Sequence, residues 1–263
     1  MRATVVVFGL AVAAVFVVAG FALHAHEKRE PIAASSSSSS QSTSSTRCEE
    51  PSRPATIRRP DWYVKRRATV LVDSVLLGGM DAVRRTLPLW KIAQVGHPAV
   101  MIRILNEDLR ESGRRVAPLV IVGIGYNSLW ERDRRNYRIW ASEFDRQAKA
   151  LLATLKRAGA EQFVWVTLRH ARRAVIPESA LGQFDQYAWY FPYVNERLKR
   201  LDGLRGDLAL ANWAAVSNKP GLTYDAIHLN LKGAALMGRT IKSAIEEAAK
   251  AEAVVTSHPK PGC

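Results

Sequence analysis

The sequence predicts an α/β fold, a three-layer α/β/α sandwich on a five-stranded parallel sheet. Two observations carry this. Short apolar runs alternate with longer segments whose apolar residues recur every three to four positions, the rhythm of βαβ units. The clearest run, Leu119-Val120-Ile121-Val122, is apolar at every position. A strand with one open face would alternate, so this one is expected between two layers of helices.

Five strands are expected, at residues 69–73, 89–95, 118–123, 163–168 and 208–213. Helices fall between them. Val100, Met101, Ile104, Leu105 and Leu109 share one face at helical spacing, as do Phe144, Ala148, Leu151, Leu152 and Leu155. Leu231, Ala234, Ala235, Gly238, Ile241, Ile245 and Ala248 form a last stripe. These stripes are core positions. Residues 171–192 break the rhythm with Pro177, Gly182, Phe184, Tyr187, Trp189, Tyr190 and Phe191. Two readings of that insertion stay open: a lid or substrate wall, or a surface loop with its aromatics tucked onto the domain.

Residues 3–23 carry no charge and are almost wholly apolar. At about 1.5 Å per residue such a helix is ~30 Å long, the thickness of one bilayer core. It exceeds the apolar region of a signal peptide (~7–15 residues), and Leu23-His24-Ala25 is a poor cleavage site. An uncleaved anchor is therefore expected, with a cleaved signal peptide as the alternative. Either exports the rest of the chain and leaves it outside the cell membrane, anchored or secreted. The expected organisation is an anchor or signal segment at 1–30, a flexible linker at 31–60, a domain at 61–255 and a tail at 256–263. The linker includes a run from Ser35 to Thr46 that is serine and threonine but for Gln41.

The formal net charge is +14, with 27 arginines against 11 lysines. No nucleic-acid partner is expected, because the chain is read as exported and has no nucleic-acid-binding motif. The basic pairs are also dispersed, from Arg58-Arg59 to Arg172-Arg173. Anionic lipid headgroups or an anionic wall polymer are better matched partners for an exported basic protein. The two cysteines, Cys48 and Cys263, lie one in each flank. An oxidising compartment permits a disulfide between them, and no Cys-x-x-Cys suggests structural zinc.

Several catalytic signatures are absent: Gly-x-Ser-x-Gly, Gly-x-Gly-x-x-Gly, the P-loop and His-Glu-x-x-His. Four features remain. Asp73-Ser74 closes the first strand, at the sheet edge where open α/β folds bind ligands. Gly96 follows the second strand and can offer a backbone N–H at close approach. Gly125-Tyr126-Asn127 follows the third, and an asparagine amide is a suitable donor to an oxyanion. Asp225-x-x-His228 sets a carboxylate beside an imidazole, which fixes the tautomer and frees Nε2 as a base.

In this order the four features resemble the SGNH hydrolases, the GDSL-like esterase family, over roughly residues 69–245. They are most similar to the extracytoplasmic SGNH domains of bacterial cell-envelope O-acetyltransferases. Asp225-Ala226-Ile227-His228-Leu229-Asn230-Leu231-Lys232-Gly233 resembles the family's last block, and Val194-Asn195 and Trp213 fit that subgroup. The resemblance implies an SGNH/flavodoxin-like sheet. It also implies Ser74 as nucleophile, His228 as base and Asp225 as its orienting partner. Ser74, Gly96 and Asn127 would form the oxyanion hole. Two departures stand out: Val72 replaces the glycine of Gly-Asp-Ser, and Ser128 follows Asn127.

The chemistry so implied is an acyl-serine intermediate on an acyl ester of an envelope glycan or lipid, without metal or organic cofactor. Release by water makes an esterase. Release by a sugar hydroxyl makes an O-acyltransferase, fed by a separate membrane acyl-donor protein. The esterase is favoured because the chain has no multi-span donor domain of its own. A non-catalytic envelope-binding scaffold is the rival from another class. Whether Arg169 or His97 touches substrate is not legible in the sequence.

Overall fold

The computed structural model describes residues 56–129 and 132–256. The expected anchor, the serine-rich run and both cysteines lie outside the described residues. No described helix is long and apolar enough to cross a membrane.

The chain enters through β1 (Thr56–Arg58) and a short helix α1 (Asp61–Val64). The main sheet begins with β2 (Arg67–Val72), followed by α2 (Ser74–Leu77) and α3 (Met80–Thr86). Next come β3 (Lys91–Gly96), α4 (Ile102–Glu111), β4 (Leu119–Gly123), α5 (Tyr137–Arg157) and β5 (Gln162–Val166). Then α6 (Leu181–Tyr187), α7 (Phe191–Asp202), β6 (Leu208–Ala211) and α8 (Trp213–Val216) lead to α9 (Leu231–Ala251) and β7 (Val254–Thr256).

Five strands form one parallel sheet in the order β3-β2-β4-β5-β6. The expected α/β class and five-stranded parallel sheet are present. Strand order reverses between β2 and β4, which makes the carboxyl end of that pair the natural ligand crevice. Strands β4 and β5 are buried along their whole length, whereas β3 is an edge strand and half exposed.

The strand bounds move by a few residues from expectation. Leu89 stays outside β3 at 69% exposed. Asn212 ends β6 by capping α8, its side chain accepting from Ala215 N–H (3.2 Å), so Trp213 opens a helix rather than closing a strand. The α5 stripe is buried as expected. In α4 the buried face is Ile102, Leu105 and Leu109, with Val100 and Met101 ahead of the helix. In α9 Leu231 is exposed, and Met237 and Ala244 join the buried face.

A second, two-stranded sheet was not anticipated. β1 pairs antiparallel with β7, Thr56 opposite Thr256. Residues 56–58, placed in the linker by composition, are thus a strand. Trp62 Nε1 donates to Glu252 Oε2 (2.7 Å), which fastens α1 to the end of α9.

Candidate active site

Asp73 follows β2 and is fully buried. Its Oδ1 accepts from Val75 N–H (3.0 Å) and Leu76 N–H (3.5 Å), and its Oδ2 from Tyr126 N–H (3.4 Å). One carboxylate therefore caps α2 and ties the exit of β2 to that of β4. Burial pushes its pKa up to about 6, against the lowering by these N–H groups. The N–H of Ser74, between them, has no acceptor among the described residues.

Val72, at the end of β2, stands between two glycines. Val72 pairs with Gly96 on one side and Gly123 on the other. Gly96 has φ +119°, and a Cβ there would lie 2.2 Å from the Val72 carbonyl oxygen. A Cβ on Gly123 would lie 2.0 Å from Leu76 Cδ2, so that glycine makes room for the first turn of α2.

His228 is presented by a loop closed on itself. Asn230 N–H donates to Leu222 O (3.1 Å) and Tyr224 N–H to His228 O (3.1 Å), with Ala226 at φ +72° in the turn. Asp225 Oδ1 accepts the N–H groups of Ile227 (3.2 Å) and His228 (2.7 Å), while Oδ2 meets His228 Nδ1 at 2.6 Å. Burial raises the Asp225 pKa. The His228 ring and the two N–H groups outweigh it, so the group sits below its ordinary value and is ionised at neutral pH. On the other side of the ring, His228 Nε2 lies 2.9 Å from Ser74 Oγ. Ser74, His228 and Asp225 are thus one continuous hydrogen-bonded chain.

The rest of the last sequence block has local explanations. Asn230 Oδ1 caps α9 through Gly233 N–H (3.0 Å), and its Nδ2 donates to Gly221 O (2.9 Å). A Cβ on Gly233 would lie 1.9 Å from Leu222 O, so glycine lets the loop stem rest on the helix.

Gly96 and Asn127 sit at the same sheet edge, at the ends of β3 and β4 that flank β2. One Asn127 amide hydrogen goes to Val100 O at a long 3.4 Å. His97 is exposed, its Nδ1 against Pro98 O (2.8 Å).

Three residues absent from the expected site support it. Arg169, just past β5, is buried and donates to Ala226 O (2.6 Å), Thr223 Oγ1 (2.8 Å), Ser217 O (3.3 Å) and Lys219 O (3.3 Å). Desolvation lowers its pKa, with no carboxylate among these partners. Asn195 holds the same exit, accepting from Leu168 N–H (2.7 Å) and donating to Leu168 O (2.9 Å). Tyr126 OH accepts from Arg169 N–H (2.8 Å). The sequence signal for Arg169 was a charged side chain directly after a buried strand, at the edge where ligands bind.

Of the two readings of the 171–192 insertion, the structure shows the one in which its aromatics are tucked onto the domain. Tyr190 and Phe191 are buried in the core, and Tyr190 OH donates to Tyr126 O. Ala171, Ile176 and Ala180 pack with Ala226, so the insertion backs the loop that carries Asp225 and His228. Tyr224, 66% exposed, stacks on the imidazole at 5.8 Å and 14°.

A GDSL-like lipase of Bacteroides thetaiotaomicron has the same architecture, with a TM-score of 0.52 over 73% of this chain and 92% of its own at 14% identity. The fold is that of the SGNH hydrolases. A putative acylhydrolase of Bacteroides fragilis matches equally, with a TM-score of 0.52, 14% identity, and coverage of 70% and 88%. The catalytic domain of a Streptococcus pneumoniae peptidoglycan O-acetyltransferase matches at 17% identity with a TM-score of 0.47, over 73% of this chain and 97% of its own. No family model matches the sequence, and no curated protein matches it in sequence.

Proposed function

We propose that this SGNH-fold chain is an exported serine esterase that cleaves acyl esters of a cell-envelope glycan or lipid. The observation that carries the reading is the Ser74–His228–Asp225 chain, with contacts of 2.9 and 2.6 Å. Its members are supplied by two segments 154 residues apart. Such a chain has one familiar chemical use.

Ser74 Oγ attacks the ester carbonyl while His228 Nε2 takes its proton. Asp225 holds the imidazole in the tautomer with the proton on Nδ1 and stabilises the imidazolium that forms. The Ser74 N–H, the Gly96 N–H and the Asn127 amide are the donors assigned to the oxyanion. His228 then gives its proton to the leaving alkoxide. The acyl-serine forms, and water deprotonated by His228 releases the acid.

Export and the envelope substrate rest on the uncharged apolar segment at 3–23 and the charge of +14. The acyl-ester substrate class rests on the triad and agrees with the names of the lipase and acylhydrolase that share the fold. The test is hydrolysis of a short acyl ester by the purified protein, repeated with an acetylated glycan and with a free glycan acceptor. Acid release from both esters supports the esterase. Acyl transfer to the acceptor, without net hydrolysis, replaces it with the O-acyltransferase that the same residues serve.

A further inference from the structure

We propose that the edge of the sheet opposite the triad is a docking surface for an anionic, phosphate-bearing bilayer. At this edge Arg67 and Lys91 are paired on the first rung of β2 and β3. A cleft of about 400 Å³ beside them is lined by Arg110, Arg114, Arg115 and Arg157. A second cleft, about 480 Å³, is lined by Arg67, Lys91 and Arg115, so Arg115 joins the two.

None of these six side chains has an ion-pair partner among the described residues, although twelve such pairs exist elsewhere. Nearby carboxylates are already used: Glu161 by Lys65, and Asp207 by Lys156 and Arg205. Asp108 and Glu111 on α4 offset part of the charge and leave a clear basic excess. Arg110 and Arg157 lie in the last turns of α4 and α5, where the helix ends favour cations. Arg67, Lys91, Arg114 and Arg115 lie in no helix, so that account does not reach them.

The bilayer is chosen over a soluble polyanion by where the chain enters. α9 starts three residues after His228, at the triad edge, and its 21 residues carry it about 30 Å to the opposite edge. There β7 pairs with β1, and Trp62 meets Glu252. Residue 56 therefore enters the domain at the basic edge. The 55 residues before it include the uncharged apolar stretch 3–23. In this proposal a bilayer holding that stretch meets the arginines, and Ser74 and His228 lie at the other end of the sheet. Each basic group near such a surface contributes roughly 1 kcal/mol.

The surface is independent of the catalytic reading, and its test needs no activity. The full chain is mixed with vesicles of phosphatidylcholine, with or without one-third phosphatidylglycerol. Arginine modification by phenylglyoxal is then mapped by mass spectrometry. In about 0.1 M salt, Arg110, Arg114, Arg115 and Arg157 should react at least three-fold more slowly on anionic than on neutral vesicles. Arg172, beyond β5 at the triad edge, should react equally on both. The protection should disappear at about 1 M salt, where screening falls to ~3 Å. Arg110→Gln with Arg114→Gln, which remove no intramolecular hydrogen bond among the described residues, should cut the protection of Arg115 and Arg157. Equal rates on both vesicles would overturn the proposal. So would stronger protection by soluble polyphosphate at equal phosphate concentration, which would assign the surface to a polymer.

Discussion

The Arg169 guanidinium donates a 2.6 Å hydrogen bond to the carbonyl of Ala226, the residue next to Asp225 in the turn that presents His228. The same side chain reaches Thr223, Ser217 and Lys219, so one arginine past β5 fixes the whole loop from below. Arg169→Ala leaves several buried acceptors unpaired and should lower stability by about 2–4 kcal/mol. Arg169→Lys keeps the charge but loses the planar fork. It should fold, with kcat down roughly ten- to a hundred-fold and KM little changed, because a displaced base costs transition-state geometry. Steady-state kinetics beside thermal melts separate the two effects. Wild-type kcat in Arg169→Lys would remove Arg169 from the positioning of the site.

Asp225→Asn should retain the loop, since an amide oxygen can still accept from Ile227 and His228. The side-chain N–H₂ would face His228 Nδ1 and favour the wrong tautomer. A loss of roughly 10³–10⁴-fold in kcat is expected, with an unchanged circular dichroism spectrum. A loss below ten-fold would mean that the 2.6 Å contact does not orient the base.

Asp73 carries a testable pH dependence. Its pKa is about 6 in the fold against an unfolded value near 3.8. The folded state thus binds the extra proton first, and stability from this group is full below pH ~4 and lost as pH rises through ~6. Wild type should gain on Asp73→Asn by up to about 3 kcal/mol as pH falls from 7 to 4, read by urea denaturation. A flat difference across that window would mean that burial does not raise this carboxyl.

Gly96→Ala should be costly, because φ is +119° and the new Cβ would meet the Val72 carbonyl at 2.2 Å. Backbone shift or strain of about 2–3 kcal/mol is expected, with activity falling as the end of β3 moves. Equal melting temperatures would show that this turn relaxes freely.

The sheet was legible because β4 and β5 are apolar at nearly every position and the helices between strands carry clean stripes. Ser74, Asp225 and His228 were legible because each falls at a strand exit or before a helix in a recognisable order. Other features were not. The β1–β7 pair joins segments almost 200 residues apart, and three-residue strands leave no periodicity to read. Arg169 stood out in the sequence only as a charge after an apolar strand; its hold on the His228 loop did not, since its partners are mostly backbone carbonyls that no sequence pattern encodes. The two glycines that flank Val72 lie on neighbouring strands, and only the register brings them together.

The central claim is that Ser74 is a nucleophile activated by His228. Intact-mass and peptide mapping after treatment with a fluorophosphonate tests it most directly. One adduct per chain, on Ser74, is expected in the wild type. His228→Ala should slow its formation by at least about 10²-fold, consistent with the usual size of general-base assistance. Ser74→Ala should show no adduct and ester hydrolysis lower by at least ~10³-fold. An unlabelled wild type, or Ser74→Ala with undiminished hydrolysis, would contradict the account.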